Sequence, residues 1–140
     1  MGNRRELSHQ LEREFRQVFR RMKREVHQVL REKMTDSEFV FLKYLATHDP
    51  RSPSELSAVL EVSASHVTQV TDSLVKKGWV RRCRSPVDKR VIELEITSEG
   101  SEVYSRMEVK RMEYFHQKFS SFTTQEMETL LRLFQKLSGN

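Results

Sequence analysis

Between Ser73 and Ile92 the chain carries seven basic residues, Lys76, Lys77, Arg81, Arg82, Arg84, Lys89 and Arg90, against a single acid, Asp88. Positive charge at that density attracts a ligand of repeated negative charge, so the natural partner is a polyanion. Immediately upstream, Ser63 to Lys77 reads as a helix with two unlike faces. At about 100° per residue Val67, Val70 and Leu74 fall together and mark a core side. Ser65, Gln69, Asp72 and Lys76 fall opposite, flanked by Thr68, with His66 and Ser73 on the other shoulder. Short, polar, nearly uncharged side chains suit the reading of base edges: glutamine pairs with adenine, and serine or threonine serves as donor or acceptor. A solvated amphipathic helix would have the same wheel. The place of this one, after a two-residue turn and before a basic segment, favours base reading.

Other chemistries find no constellation. His9, His27, His48, His66 and His116 are scattered without metal-ligand spacing, there is one cysteine, and four glycines form no phosphate-cradling loop. No nucleophile elbow is present, so neither an enzyme nor a cofactor or metal is expected. Cys83 has two readings. Arg82 and Arg84 beside it would lower its pKa and make a redox-responsive thiolate, but an ordinary strand cysteine is the preferred one. Tyr104, Met107, Phe115 and Phe119 would either line an effector pocket or, as such stripes usually do, pack a dimer core.

These side chains need elements to hold them. Leu7, Leu11, Phe15, Val18, Met22, Val26 and Val29 follow spacings of 4, 4, 3, 4, 4 and 3, which predicts a helix from Arg4 to Lys33. It would be roughly 45 Å long, more than a small domain needs for its own core, so part of the stripe should meet another chain. Its other face interleaves Arg4, Arg13, Arg16, Arg20, Arg24 and Arg31 with Glu6, Glu12, Glu14, Glu25 and Glu32, a solvated face of ion pairs. Thr35-x-x-Glu38 is a capping box opening a second helix to about His48, with Met34 stapled on Phe39 and a stripe of Phe39, Leu42, Leu45 and Ala46. Ser52-Pro53-Ser54-Glu55 starts a third, carrying Leu56, Val59 and Leu60. Only Glu61 and Val62 separate it from Ser63, the expected cap of the fourth helix. Two helices joined so tightly form a helix-turn-helix.

Gly78 should end that fourth helix in the left-handed conformation. Strands are expected at 79–83 and 91–96, where Ile92, Leu94 and Ile96 alternate with Val91, Glu93 and Glu95. The charged connection between them should project as a wing. From its tip Arg84, Lys89 and Arg90 would reach a minor groove or its phosphates. Asp88 suits an internal role, orienting a guanidinium or fixing the loop. Thr97 caps a fifth helix. Thr123-x-x-Glu126 opens a sixth, with Met127, Leu130, Leu131, Phe134 and Leu137 on one face.

The chain's 140 residues fit one compact unit, and 36% hydrophobic against 32% charged residues suggests a core completed by a partner subunit. A net charge of +5 and a pI near 9.6 agree with an anionic partner. A lone cysteine fits a reducing compartment, so a cytoplasmic location is expected. No run approaches the ~18 apolar residues of a membrane helix, and no membrane partner is expected.

The order of elements, with SELSAVLEVSASHVTQVTDSLVKKGWVRR, SPVDKR and ITSEG, resembles the MarR family of winged helix-turn-helix transcription regulators over essentially the whole chain. The D-x-R of Asp88, Lys89 and Arg90 is its most telling short motif. The resemblance implies a mainly α fold of about six helices with a small β-hairpin wing. Residues 1–34 would be a dimerisation helix, 35–97 the DNA-binding lobe and 98–140 the C-terminal dimerisation helices. It also implies a homodimer on a pseudo-palindromic duplex DNA operator, repression, and release by a small aromatic or phenolic effector. The expected base-edge contacts are Ser65, His66, Thr68 and Gln69, with Ser63 and Ser73 on the DNA backbone and Arg84, Lys89 and Arg90 acting from the wing. A winged-helix module that binds an acidic protein is the alternative.

Overall fold

Short-range capping signals start most of the elements in the computed structural model, which describes residues 2–31 and 33–139. Glu32, one of the acids assigned to the first helix, lies outside them. Helix α1 (Arg4–Leu30) opens where the Asn3 side chain accepts from the Arg5 amide. It stops before the expected Lys33 because the amides of Lys33 and Met34 both turn back onto the Leu30 carbonyl. That turn buries Leu30 and Met34 together and frees Thr35 to cap the next helix.

Helix α2 (Asp36–Thr47) carries the full Thr35/Glu38 capping box. It is the central helix, touched by α1 and, farther along the chain, by helices α4 (Ala64–Lys76) and α5 (Ser98–Lys118) and by strand β2 (Ile92–Ile96). Being covered on several sides, it buries Phe41 and Glu38 besides the expected Phe39, Leu42 and Leu45. Helix α3 (Pro53–Leu60) is capped by Ser52 and ended by Glu61 in the left-handed region, at φ 53°. The Ser57 hydroxyl donates to the Val62 carbonyl at 2.6 Å and closes the turn into α4.

Ser63 caps α4, and Gly78, at φ 79°, ends it. Strand β1 is Val80–Arg84, paired antiparallel with β2 in the register Val80 to Ile96, Arg82 to Leu94 and Arg84 to Ile92. Both strands begin one residue later than expected. The Trp79 amide is used by the Leu74 carbonyl as part of the helix cap, and the Val91 amide bonds within the loop to Asp88. Arg51, expected in a turn, exchanges two backbone hydrogen bonds with Leu94, at 3.1 and 2.7 Å, and adds a third short edge to the hairpin.

Thr97 caps α5 while its hydroxyl donates to the Gly78 carbonyl at 2.7 Å, tying the helix start to the wing base. Helix α6 (Thr124–Leu137) has the second full capping box. The core runs from Leu30 and Met34 through Phe39, Phe41, Leu42, Leu45, Leu56, Val67, Leu74 and Leu94 to Val103 and Met107. The end of α1 and the start of α5 thus share one core with residues 35–97. Farther along, Glu25 of α1 accepts from the Tyr114 hydroxyl at 2.6 Å and the Lys118 ammonium at 2.8 Å. Burial, then the Glu25 carboxylate, pushes the Tyr114 pKa up to about 12. The outer half of α1 and the apolar face of α6 stay open, with Leu11 70% and Leu137 72% exposed.

Candidate nucleic-acid interface

Helix α4 turns Val67, Val70 and Leu74 inward, together with Thr71, and leaves Ser63, Ser65, Thr68 and Gln69 exposed. The Ser63 hydroxyl accepts the His66 amide at 3.1 Å and lies 3.2 Å from the Ser65 hydroxyl, so the cap and the first outward side chain are coupled. Thr68 donates to the Ala64 carbonyl at 3.1 Å, which leaves its oxygen facing out as an acceptor. His66 is half-buried, edge-on to Phe41 with ring centroids 6.1 Å apart. One flank of its ring is therefore packing surface.

Ser73, expected at the DNA backbone, already has a partner within the chain. Its hydroxyl donates to Glu38 Oε2 at 2.9 Å, a bond it would have to give up to donate to a DNA backbone oxygen. The reason is the position of α2, which brings a buried carboxylate under the shoulder of α4.

At the wing, the Ser85 oxygen accepts the amides of Val87 and Asp88 at 3.2 and 3.3 Å and holds the tip in a tight turn. Asp88 Oδ1 accepts both the Arg90 amide, at 3.0 Å, and its Nε, at 3.1 Å, while Oδ2 accepts Nη2 at 3.1 Å. The Arg90 side chain and amide hold the Asp88 carboxyl below its ordinary range. The guanidinium itself is 90% exposed, so it is aimed rather than covered. Arg84 donates to the Lys89 carbonyl at 3.3 Å, bracing the other side of the loop.

The basic run is less bare in space than in sequence. Arg81 pairs with Glu95 at 3.0 Å, Arg82 with Asp72, and Lys77 with Glu38 at 2.9 Å. All three acids lie outside the Ser73–Ile92 segment. Glu95 was visible as the outward residue of an alternating strand and Asp72 as an outward residue of α4, but nothing in the sequence paired them, or Glu38, with these cations. Among the described residues, Lys76, Arg84 and Lys89 have no carboxylate partner, so these three and the exposed Arg90 carry the positive charge of the segment that folding leaves available.

At Cys83 the surroundings favour the ordinary strand cysteine. Its pKa is raised, first by burial and then by Glu95 and Glu93, and these outweigh the arginine nearby. The thiol donates toward the Glu93 carbonyl at 3.5 Å. Met107 is buried in the chain's own core and Tyr104 packs on Phe39 at 5.5 Å, whereas Phe115 holds the Arg111 guanidinium 5.1 Å from its ring. Among the described residues no three His, Cys, Asp or Glu side chains gather as a metal site, and no helix is long and apolar enough to cross a membrane.

A helix-turn-helix followed by a basic two-stranded wing defines the winged-helix class of DNA-binding proteins. The chain belongs to the MarR family of HTH transcriptional regulators: the MarR family profile matches residues 34–92, and the relatives extend the likeness over the rest. It is 38% identical over 137 residues to YpoP of Bacillus subtilis (strain 168), an uncharacterized HTH-type transcriptional regulator, covering 98% of this chain and 97% of YpoP. Against the transcriptional repressor MprA of Escherichia coli (strain K12) it is 34% identical over 85 residues, 61% of this chain and 48% of MprA. A MarR mutant from E. coli, solved in complex with operator DNA, superposes with a TM-score of 0.77 at 28% identity, over 91% of this chain and 92% of that one. A MarR family protein from Bacillus stearothermophilus shares the fold with a TM-score of 0.83 at 24% identity, over 99% of this chain and 97% of its own. The chain is thus a DNA-binding transcriptional regulator and not an enzyme.

Proposed function

We propose that the protein is a homodimeric repressor that binds a pseudo-palindromic operator, with Ser65, His66, Thr68 and Gln69 reading base edges in the major groove. Ser63 contacts the DNA backbone at the start of α4, and Arg84, Lys89 and Arg90 act from the wing. The observation that carries this reading is the Asp88–Arg90 clamp on a wing that follows an exposed, nearly neutral α4 face. Affinity comes from the wing's charge, and sequence choice from the uncharged side chains.

Dimerisation is supported by the open apolar faces of α1, with Leu7, Leu11, Phe15 and Val18, and of α6, with Met127, Leu131, Phe134 and Leu137. Contiguous apolar surface of that kind favours association with a like surface, and a two-fold axis would pair each face with its copy. Half-sites should then lie about one helical turn apart, roughly 34 to 36 Å. Release by a small aromatic or phenolic anion is supported by Arg111, whose guanidinium lies 5.4 Å from the Phe39 ring and 5.1 Å from Phe115 at the joint of α2 and α5. Such a ligand acts to the extent that it binds two lobe separations unequally.

The test is selection of duplexes from a random pool by the intact protein, followed by footprinting of genomic fragments with and without a small phenolic acid. Recovery of one inverted repeat, protected without the acid and released with it, is the expected result. Sequence-blind binding that depends on salt alone would count for the protein-binding module instead.

A further inference from the structure

The Glu38 side chain is 3% exposed, and its carboxylate joins three separate parts of the chain. Oε1 accepts from the Thr35 amide and from the Lys77 ammonium, each at 2.9 Å, and Oε2 accepts from the Ser73 hydroxyl at 2.9 Å. Lys77 extends the cluster. Its ammonium approaches the Lys33 carbonyl at 3.4 Å and lies 4.9 Å over the Trp79 ring. The turn between α1 and α2, the last turn of α4 and the residue before β1 therefore meet on one ion pair.

Capping α2 does not require this burial. Glu126 performs the same box for α6 from an exposed position, with the Thr123 amide at 2.9 Å. Nor is stability a sufficient reason, because a buried ion pair is often no better than apolar residues of the same volume. What charge-assisted bonds add is direction. The apolar packing of Val67, Val70 and Leu74 is non-directional and tolerates a small rotation or slide of α4, whereas two hydrogen bonds from α4 and its cap, Ser73 and Lys77, onto a carboxylate held by the Thr35 amide restrict it.

We propose that Glu38 and Lys77 are positioning residues for DNA recognition: they fix the angle of α4 to the end of α1, and through α1 the separation and phase of the two recognition helices in the dimer. This rests on the dimeric DNA-binding reading above. Without the cluster each lobe still folds and still presents Gln69, but the pair of lobes no longer prefers one half-site spacing. Loss of the cluster therefore weakens binding to the native spacing and relaxes discrimination against a wrong one.

The experiment uses the full chain and three duplexes: the operator recovered by the unaltered protein, the same operator with one base pair inserted between its half-sites, and a single half-site. The insertion rotates one half-site by roughly a tenth of a turn. The unaltered protein should bind the inserted duplex about tenfold or more weakly than the operator. Lys77→Met, which keeps the apolar stem on Trp79, should bind the operator about tenfold more weakly and distinguish the two duplexes by about threefold or less, with half-site binding unchanged. Lys77→Arg should restore discrimination. Leu56→Ala, a core change on α3, should lower Tm and leave discrimination intact.

Glu38→Gln repeats the test from the other partner; where it does not fold, Lys77→Met decides, since that side chain is 36% exposed. A Lys77→Met protein that keeps the full penalty for the insertion overturns the proposal and makes the cluster a stabilising contact only. An unaltered protein that recovers no operator removes the DNA-binding reading, and this proposal with it.

Discussion

Gly100 lies directly against the carbonyl of Trp79: a Cβ on Gly100 would stand 2.1 Å from that oxygen and 2.8 Å from its carbon. Both atoms are backbone, and the Trp79 carbonyl is also held by the Thr97 amide at 3.0 Å, so nothing soft can give way. Gly100→Ala should therefore separate α5 from the wing base and cost about 3 kcal/mol, the upper end for overpacking. Urea denaturation measures it. A loss under about 1 kcal/mol would mean that the junction slides freely.

Glu61 is the one non-glycine residue with positive φ among those described. Left-handed backbone costs an ordinary residue roughly 1 to 2 kcal/mol, part of which glycine recovers against its own greater chain entropy. Glu61→Gly should raise stability by about 0.5 kcal/mol, while Glu61→Val should lower it by about 1 kcal/mol or more. Thermal melting of the three proteins ranks them. Equal melting points would contradict a strained turn.

Gln69 and Arg90 divide the work of binding, so their variants should fail differently. Gln69→Ala should relax preference at one base pair by about 1 to 3 kcal/mol. Arg90→Ala should weaken binding to all sequences and reduce the salt slope by about 0.9 for each phosphate it no longer neutralises. Asp88→Ala should also weaken binding although it removes a negative charge, because Arg90 loses the carboxylate that aims it. Tighter binding by Asp88→Ala would show that the clamp restrains the wing.

Acid should act on Glu38. Burial pushes its pKa up, but the Thr35 amide, the Lys77 ammonium and the Ser73 hydroxyl together bring it below the ordinary glutamate value. A carboxyl with a depressed folded pKa contributes stability that is full above its unfolded pKa, about 4.3, and is lost as pH falls through the folded value. Glu38→Gln should therefore be less stable by about 2 kcal/mol at pH 7, and the gap should narrow as pH falls below the unfolded value of about 4.3 and close below the folded one. A gap independent of pH would assign the loss to packing.

Cys83 should be slow to react. With its pKa raised by burial and by Glu95 and Glu93, less thiolate is present at pH 7 than in a free cysteine. Alkylation by iodoacetamide should lag a cysteine peptide, and DNA binding by Cys83→Ser should match the unaltered protein before and after peroxide. Faster alkylation than the peptide would favour the redox reading.

The elements were legible because their signals lie within one helical turn. Thr35 with Glu38, Ser52 with Glu55, Thr123 with Glu126 and Thr97 alone each satisfy orphan amides a few residues ahead, so a linear reading finds them. The wing's Asp88–Arg90 pair is equally local. Arg51 escaped because one residue of β pairing has no period, and Phe41 because α2 is covered on more sides than one stripe allows.

By itself the sequence determined where helices begin, which side of each is apolar, and that a nearly neutral helix face precedes a basic loop, since all of these depend on neighbours within about four residues. Tertiary structure decided which charges remain available. Ser73 and Glu38 are 35 positions apart, Lys77 and Glu38 are 39, and Arg82 and Asp72 are 10. Whether such groups meet depends on how α2, α4 and the wing pack, and packing is set by the shape of the shared core. Charge written along the chain is a sum; the field that a ligand meets is what remains after folding has paired it.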